Sequence, residues 1–126
     1  MKEKIFDCVT FFQENLQMEL RFNILNDVVD KFIVCESVYD HRGKEKKINF
    51  SKHKFPEIFS KIEHIIITKK FPEKYTPWQN QARQREFIFE GIKDADKDDL
   101  IMFSDPDEIP NPEKLKNFNP KKKYSI

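Results

Sequence analysis

The sequence is poor in glycine, in cysteine and in long apolar runs, and each shortage excludes a class of protein. Only 2 of its 126 residues are glycine, so there is no GxGxxG fingerprint and no P-loop. Any bound phosphate must therefore be held by a metal ion or by side-chain cations. No run approaches the ~18 apolar residues of a membrane span, and the N-terminus lacks a signal-peptide profile. These absences predict a soluble, cytoplasmic chain with no membrane span.

The two cysteines and the balanced charge argue against further classes of protein. Cys8 and Cys35 lie in apolar, strand-like runs, and two cysteines make neither a metal site nor a disulfide framework. We expect buried, reduced thiols, which fits a reducing compartment. With 23 basic and 22 acidic residues the net charge is +1, so no global field favours nucleic acid or membrane. The basic run at 121–123 is the one feature that favours a nucleic-acid binder, and the balanced charge argues against it.

The sequence is rich in phenylalanine, and its predicted strands and helices alternate along the chain. The 126 residues suffice for a single domain, and 13 phenylalanines supply bulk for one packed core. Apolar runs predict strands, and helical spacing predicts helices, in strict alternation. The strands are expected at 4–12, 30–36, 64–68 and 100–103, and the helices at 14–25, 50–62 and 78–91. This order predicts an α/β fold with a mostly parallel sheet and helices on both faces.

Two details of the helices and two of the loops can also be predicted. In the first helix Leu16, Leu20 and Ile24 form an apolar stripe, which Met18, Phe22 and Leu25 widen and which we expect to face the core, with Glu19 and Arg21 as solvated charges on the polar side. Separately, Gly91 is expected to follow the end of the third helix. The loop after the second strand contains Gly43, which is able to take a positive φ. Residues 111–123 are rich in proline and lysine.

The segment that carries the most chemical information is 98–110, DDLIMFSDPDEIP. A short apolar run predicts a buried strand, and Asp105, Asp107 and Glu108 follow it directly. Alternate residues of a turn can present two carboxylates to one crevice, and such oxygen ligands suit Mg²⁺, Mn²⁺ or Ca²⁺. Beyond the strand ends of an open α/β sheet is where nucleotides bind. The alternative is that Asp105 or Asp107 only caps a turn, helped by the neighbouring prolines.

Other candidate ligand residues lie at the second strand end and in the third helix. Glu36, followed by Ser37, ends the second strand, where an acid can hold a ribose hydroxyl or a base edge; the alternative is a surface or salt-bridged residue. Arg83 and Arg85 can bind a diphosphate through the guanidinium fork, or pair with neighbouring glutamates at the surface. Trp78 can stack on a base or sugar, although a packing role is the simpler interpretation. The three histidines share no ligand spacing.

Several of these blocks, in the same order, resemble glycosyltransferase family 17. They are KIFDCVTFFQENLQMELRFNIL, DVVDKFIVCES with HRGK following, WQNQARQREFIFEGI and DDLIMFSDPDEIP. The resemblance runs from about residue 4 to about residue 112. It implies a GT-A fold, a Rossmann-like sheet that binds a nucleotide-sugar with a divalent metal, Mn²⁺ or Mg²⁺. It also implies UDP-N-acetylglucosamine as the donor and a glycan hydroxyl as the acceptor.

The resemblance assigns roles to particular positions of this sequence. Asp107 and Asp105 would be the metal and ribose–diphosphate carboxylates, with Asp107 coordinating directly. The remaining donor-binding positions would lie around the nucleoside and the diphosphate: Thr10 and Phe11 beside the base, Glu36 with Ser37 beside the nucleoside, and Arg85 or Arg83 near the diphosphate.

The resemblance also predicts what kind of unit residues 1–126 form. They would be a single donor-binding domain, truncated after the Asp-x-Asp motif, without the acceptor-binding half that usually supplies the general base. A metal-dependent glycosyltransferase is therefore the leading functional hypothesis. The alternative is a catalytically incomplete module that binds a nucleotide-sugar without transferring it. The sequence leaves the oligomeric state open.

Overall fold

The fold is built on a four-stranded parallel sheet. The computed structural model describes residues 4–40, 42–68, 79 and 87–117. The strands are β1 (Ile5–Phe11), β2 (Lys31–Ser37), β3 (Ile62–Ile67) and β4 (Leu100–Ser104). They lie in the order β3-β2-β1-β4, and every neighbouring pair is parallel. The predicted α/β fold with a parallel, Rossmann-like sheet is confirmed.

The register brings the carboxyl ends of all four strands to one edge of the sheet. Phe11 of β1 lies opposite Glu36 of β2, and Val9 of β1 lies opposite Ser104 of β4. The chain builds outward from β1 to β2 and β3, and then places β4 on the other side of β1. The strand order therefore reverses between β1 and β4, and such a reversal opens a crevice at the carboxyl edge where ligands of α/β sheets bind.

The helical segments are shorter and tighter than the sequence predicts. The helices with described bounds are α1 (Asn15–Leu25) and α2 (Pro112–Lys116), and Gln79 is also α-helical. The predicted helix at 50–62 is wrong: the chain forms two 3-10 segments, Lys52–Lys54 and Pro56–Lys61, and then enters β3. Phe55 separates the two segments with φ −125° and ψ 65°, because a residue before proline is driven out of the α region.

The third predicted helix, at 78–91, falls largely outside the described residues. Its described end is a 3-10 segment, Phe87–Ile92. Gly91 lies inside that segment and not beyond its end, so the prediction of a terminal glycine is wrong. A Cβ at Gly91 would lie 2.8 Å from Cγ2 of Ile33, so glycine is required here by close packing on the sheet. At Gly43 the predicted positive φ is confirmed, at 87°.

Apolar side chains cover both faces of the sheet. On one face the core is centred on Phe22, whose ring meets those of Phe32 and Phe55 edge-on at centroid distances of 4.8 Å, a geometry worth about 0.5–1.5 kcal/mol per pair. The opposite face carries a second cluster that contains Cys8 and Cys35. Both cysteines are fully buried and neither belongs to a disulfide, as predicted. Burial raises the pKa of each to about 12.

Helix α1 packs through one part of the broad apolar stripe that the sequence predicts. Met18, Phe22 and Leu25 are buried, as expected. Leu16, Leu20 and Ile24 are 67%, 48% and 44% exposed, so the prediction is wrong for these three residues. The orientation that is adopted also buries Arg21. In the described part of the chain, no helix is long and apolar enough to cross a membrane.

Candidate functional site

The Asp-x-Asp motif lies where the sequence predicts, in a tight turn at the carboxyl end of β4. We call residues 105–108 the acidic turn. The backbone N–H of Glu108 donates to the carbonyl of Asp105 at 2.9 Å, and the N–H of Asp105 donates to Oε1 of Glu108 at 2.9 Å. Pro106 is buried beneath the turn, whereas the Asp107 side chain is exposed. The motif therefore forms a hydrogen-bonded turn, and it presents Asp107 outward.

The guanidinium group of Arg21, in α1, donates hydrogen bonds to this turn. Its Nη1 donates to the carbonyl of Asp105 at 3.1 Å and to that of Glu108 at 2.8 Å. Its Nη2 donates to Oγ of Ser104 at 2.5 Å. Arg21 is fully buried, so the expectation of a solvated charge is wrong. One guanidinium group connects α1 to the last residue of β4 and to both ends of the acidic turn.

The charge of Arg21 is balanced by Asp7 in the centre of the sheet. Nε and Nη2 of Arg21 donate to the two carboxylate oxygens of Asp7, both at 2.7 Å. Asp7 is 1% exposed, and a bidentate pair of this kind compensates two charges that would be costly to bury alone. Asp7 and Arg21 were not among the predicted site residues. The signal in the sequence was a lone carboxylate inside the apolar run of β1, because such a residue needs a buried cation.

Glu36, the residue before the last one of β2, lies in a second buried hydrogen-bond network. Its Oε2 accepts hydrogen bonds from Nζ of Lys46 and from the N–H of Asn49, both at 2.7 Å. Its Oε1 accepts from the N–H of Phe50 at 3.1 Å and contacts Nε2 of His64 at 3.2 Å. The side chain of Glu36 is fully buried, and four partners fill the acceptor sites of a carboxylate. The salt-bridged alternative is therefore the state that the structure describes.

The titration of Glu36 reflects this network. Burial alone raises the pKa of a carboxyl group, but here the bonds from His64, Asn49, Lys46 and Phe50 outweigh it. The pKa of Glu36 consequently lies below its ordinary value of 4.5. The network also reaches β1, because Nδ2 of Asn49 donates to the carbonyl of Phe12 at 2.8 Å. Glu36 thus ties the segment that follows β2 to the end of the central strand.

The other predicted donor-binding residues divide between the carboxyl edge and the undescribed parts of the chain. Thr10 is half-buried near the end of β1, next to the switch point. The ring of Phe11 is buried against Phe50, with centroids 5.4 Å apart. Ser37 is buried, and its Oγ accepts from the N–H of Tyr39 at 3.0 Å. The remaining predictions, on Trp78, Arg83, Arg85 and residues 121–123, lie outside the described residues.

The acidic turn carries carboxylates, whose oxygens are the hard donors that a divalent metal ion takes. Among the described residues, no group of three or more His, Cys, Asp or Glu side chains is placed to hold such an ion. Mg²⁺ sites are commonly built from one or two carboxylates, with water and substrate phosphates completing the shell. The donor chemistry of Asp105 and Asp107 would fit a shared site of that kind.

A parallel sheet with a switch point beside its central strand, and with a carboxylate turn at that point, defines a Rossmann-like α/β domain. The model of glycosyltransferase family 17 matches residues 1–122, and the chain belongs to this family.

Curated relatives match over most of this chain at low identity. The chain is 26% identical over 117 residues to beta-1,4-mannosyl-glycoprotein 4-beta-N-acetylglucosaminyltransferase of Rattus norvegicus and to the protein of the same name of Homo sapiens. It is 25% identical to the Mus musculus protein. Each match covers 85% of this chain but only 22% of the relative, so the chain spans about a fifth of their length. No solved structure gives a significant match.

Proposed function

We propose that this chain is the donor-binding domain of a metal-dependent glycosyltransferase. The reaction would transfer N-acetylglucosamine from UDP-N-acetylglucosamine to a glycan hydroxyl. Membership of family 17 supports the reaction class, and the names of the relatives, which are N-acetylglucosaminyltransferases, support the sugar. The structural observation that carries the proposal is the acidic turn, which presents Asp107 at the switch point of a parallel sheet.

Each part of the carboxyl edge would then have a task. Asp107 would coordinate a Mn²⁺ or Mg²⁺ ion directly, and Asp105 would share the ion or hold the ribose and diphosphate. When bound, the ion supplies charge neutralisation to the departing diphosphate. Thr10 and the backbone of Phe11 would flank the base in the crevice beside β1. Ser37, next to Glu36, would lie on the nucleoside side.

The position of Glu36 constrains how it takes part. Its four partners occupy the carboxylate, so direct contact with a ribose would require one of them to be displaced. We propose instead that Glu36 acts on the donor through the segment that it holds, residues 46–50. Arg83 and Arg85 remain candidates for the diphosphate, and we assign no general base.

A second candidate function is a module that binds a nucleotide-sugar without transferring it. The chain matches 22% of the length of its relatives, and the matched part holds the acidic turn on which both functions depend. The two functions share a donor site and differ in whether sugar leaves the nucleotide. Release of UDP in the presence of a glycan acceptor would support the transferase. Tight donor binding with no UDP release would support the module.

Calorimetric titration of UDP-N-acetylglucosamine, with Mn²⁺ and with a chelator, tests the donor site. We expect binding that requires the metal ion and that Asp107→Ala abolishes. A matched control is Asp94→Ala, which removes an exposed aspartate outside the acidic turn. Binding that persists in the chelator or in Asp107→Ala would contradict the proposed metal site. No binding by the folded chain would contradict the donor-binding function itself.

A further inference from the structure

We infer that Arg21 is the positioning residue of the donor site and that it acts through the backbone of the acidic turn. This inference rests on the proposed function for its consequence, the affinity for metal and nucleotide. Its structural basis is independent of that function.

Every N–H of the Arg21 guanidinium group has an acceptor. The group carries five donors in a rigid plane, and the structure gives them five contacts. Two contacts reach Asp7, one reaches the Ser104 hydroxyl, and two reach carbonyls of the acidic turn. A side chain whose function was only to neutralise Asp7 would not need the other three. The fit indicates that Arg21 has a second role at the turn.

That second role is to hold both ends of the turn with one nitrogen atom. Nη1 donates to the carbonyls of Asp105 and Glu108, the first and last residues of the acidic turn. Asp107 lies between these two anchored residues and its side chain is exposed. Arg21 binds the backbone on both sides of Asp107. It therefore sets the direction in which the Asp107 carboxylate leaves the sheet.

Asp7 in turn fixes Arg21. The bidentate pair orients the plane of the guanidinium group, and Asp7 belongs to the central strand, with neighbours on both sides. The acidic turn is therefore tied to a strand that is paired on both sides. Partners that orient metal ligands from outside the first coordination shell usually change metal affinity by about 10–100-fold when they are replaced.

The test replaces the buried pair with apolar residues of similar size, Asp7→Leu together with Arg21→Met. Such a replacement removes both charges and therefore leaves no unpaired ion in the core. We expect the affinity for Mn²⁺ in the presence of UDP, followed by the loss of the free Mn²⁺ electron paramagnetic resonance signal, to fall by about 10–100-fold. The matched control is Lys31→Met with Glu63→Leu, an ion pair at the amino ends of β2 and β3, which should leave the affinity unchanged.

A second readout reports on the turn itself. Amide hydrogen exchange of Glu108, whose N–H donates to the Asp105 carbonyl, should become faster in the double variant. Amides in the centre of β1 should stay protected, which separates loss of position from loss of fold. If the double variant does not fold, Ser104→Ala removes a single acceptor of Arg21 and should weaken binding by about 10-fold, the lower end of the same range.

The outcomes distinguish this inference from the proposed function. Failure of the wild-type chain to bind Mn²⁺ with UDP would overturn the proposed function, and the exchange of the Glu108 amide would still test the positioning. Wild-type binding, with equal binding and equal Glu108 protection in the folded double variant, would overturn the positioning role of Arg21 alone. Unchanged binding in Ser104→Ala, where that variant is needed, would also overturn it.

Discussion

Replacing Glu36 by glutamine should destabilise the fold, because the carboxylate of Glu36 is buried and accepts four contacts. The substitution keeps the shape of the side chain but removes its charge. An NH₂ group then takes the place of one carboxylate oxygen. If the amide nitrogen replaces Oε2, it faces two hydrogen-bond donors, Nζ of Lys46 and the N–H of Asn49. In the wild-type chain both donors lie 2.7 Å from the acceptor Oε2. Turning the amide over would place it against the N–H of Phe50 instead.

The size of the effect follows from the burial of the pair. Glu36 is fully buried and Lys46 is only 11% exposed. Removing one partner from a buried ion pair costs about 3–5 kcal/mol, and relief from burying the Glu36 charge offsets part of this. We therefore expect a loss of about 3 kcal/mol in the free energy of unfolding, a large share of the roughly 5–15 kcal/mol typical of a small domain.

The difference in stability between wild type and Glu36→Gln should also depend on pH in a predictable direction. The pKa of Glu36 is lower in the folded chain than its ordinary value of 4.5. Its contribution to stability is therefore complete above that value and is lost as the pH falls through the lowered folded-state pKa. The difference in stability between wild type and Glu36→Gln should thus be large near neutral pH and should shrink in acid.

Urea unfolding followed by circular dichroism, near neutral pH and at about pH 3, measures both quantities. The control is Glu19→Gln, which removes an exposed carboxylate of α1 and should change stability by no more than about 0.5 kcal/mol. The reasoning would be refuted if Glu36→Gln cost no more than Glu19→Gln. It would also be refuted if the difference between wild type and Glu36→Gln grew in acid.

Three further predictions concern the core and the helix surface. Because burial raises the pKa of Cys8 and Cys35 to about 12, both should resist alkylation in the folded chain and react once urea is added; rapid labelling of the folded chain would contradict their burial. Gly91→Ala should lower the free energy of unfolding by about 1–3 kcal/mol through overpacking against Ile33, and a neutral result would show that the sheet can yield there. Leu20→Gln should change stability by less than about 0.5 kcal/mol, because Leu20 is 48% exposed, and a larger loss would show that this face of α1 is covered.

The strands could be predicted from the sequence because their signal is local. Continuous apolar runs with abrupt polar ends predicted four strands, and each was found, with bounds differing by up to two residues. The position of Asp105 and Asp107 followed from the same signal, because both come directly after such a run. The parallel direction of the strands also followed, since a helix between successive strands carries the chain back to the same end of the sheet.

The orientation of α1 could not be predicted, because its determinant is not local. Helical spacing predicted one broad apolar stripe, and it did not separate Met18, Phe22 and Leu25, which are buried, from Leu16, Leu20 and Ile24, which are exposed. The choice depends on Arg21 meeting Asp7, which lies 14 residues earlier, and residues 104–108, more than 80 residues later. A periodicity argument treats an arginine as solvated. Only the lone carboxylate within the apolar run of β1 indicated that a buried cation was required.

The environment of Glu36 was open to two interpretations for the same reason. A carboxylate at a strand end is the expected partner of a ribose, and it is equally the expected partner of a lysine. His64, which carries no ligand spacing in the sequence, contacts Glu36 from the neighbouring strand. The length of the 3-10 segments was also missed. Pro56 permits a helix start, but it forces the preceding residue out of the helical region.

The most direct test of the account is to locate a bound Mn²⁺ ion on the sheet. Amide resonances of the chain, recorded with UDP and a small amount of Mn²⁺, broaden when they lie near the ion. We predict selective broadening at Thr10, Asp105 and Asp107, with the amino-end residues Ile5 and Ile62 unaffected. Broadening at the amino edge, or none at a concentration of UDP that saturates the chain, would contradict a donor site at the acidic turn.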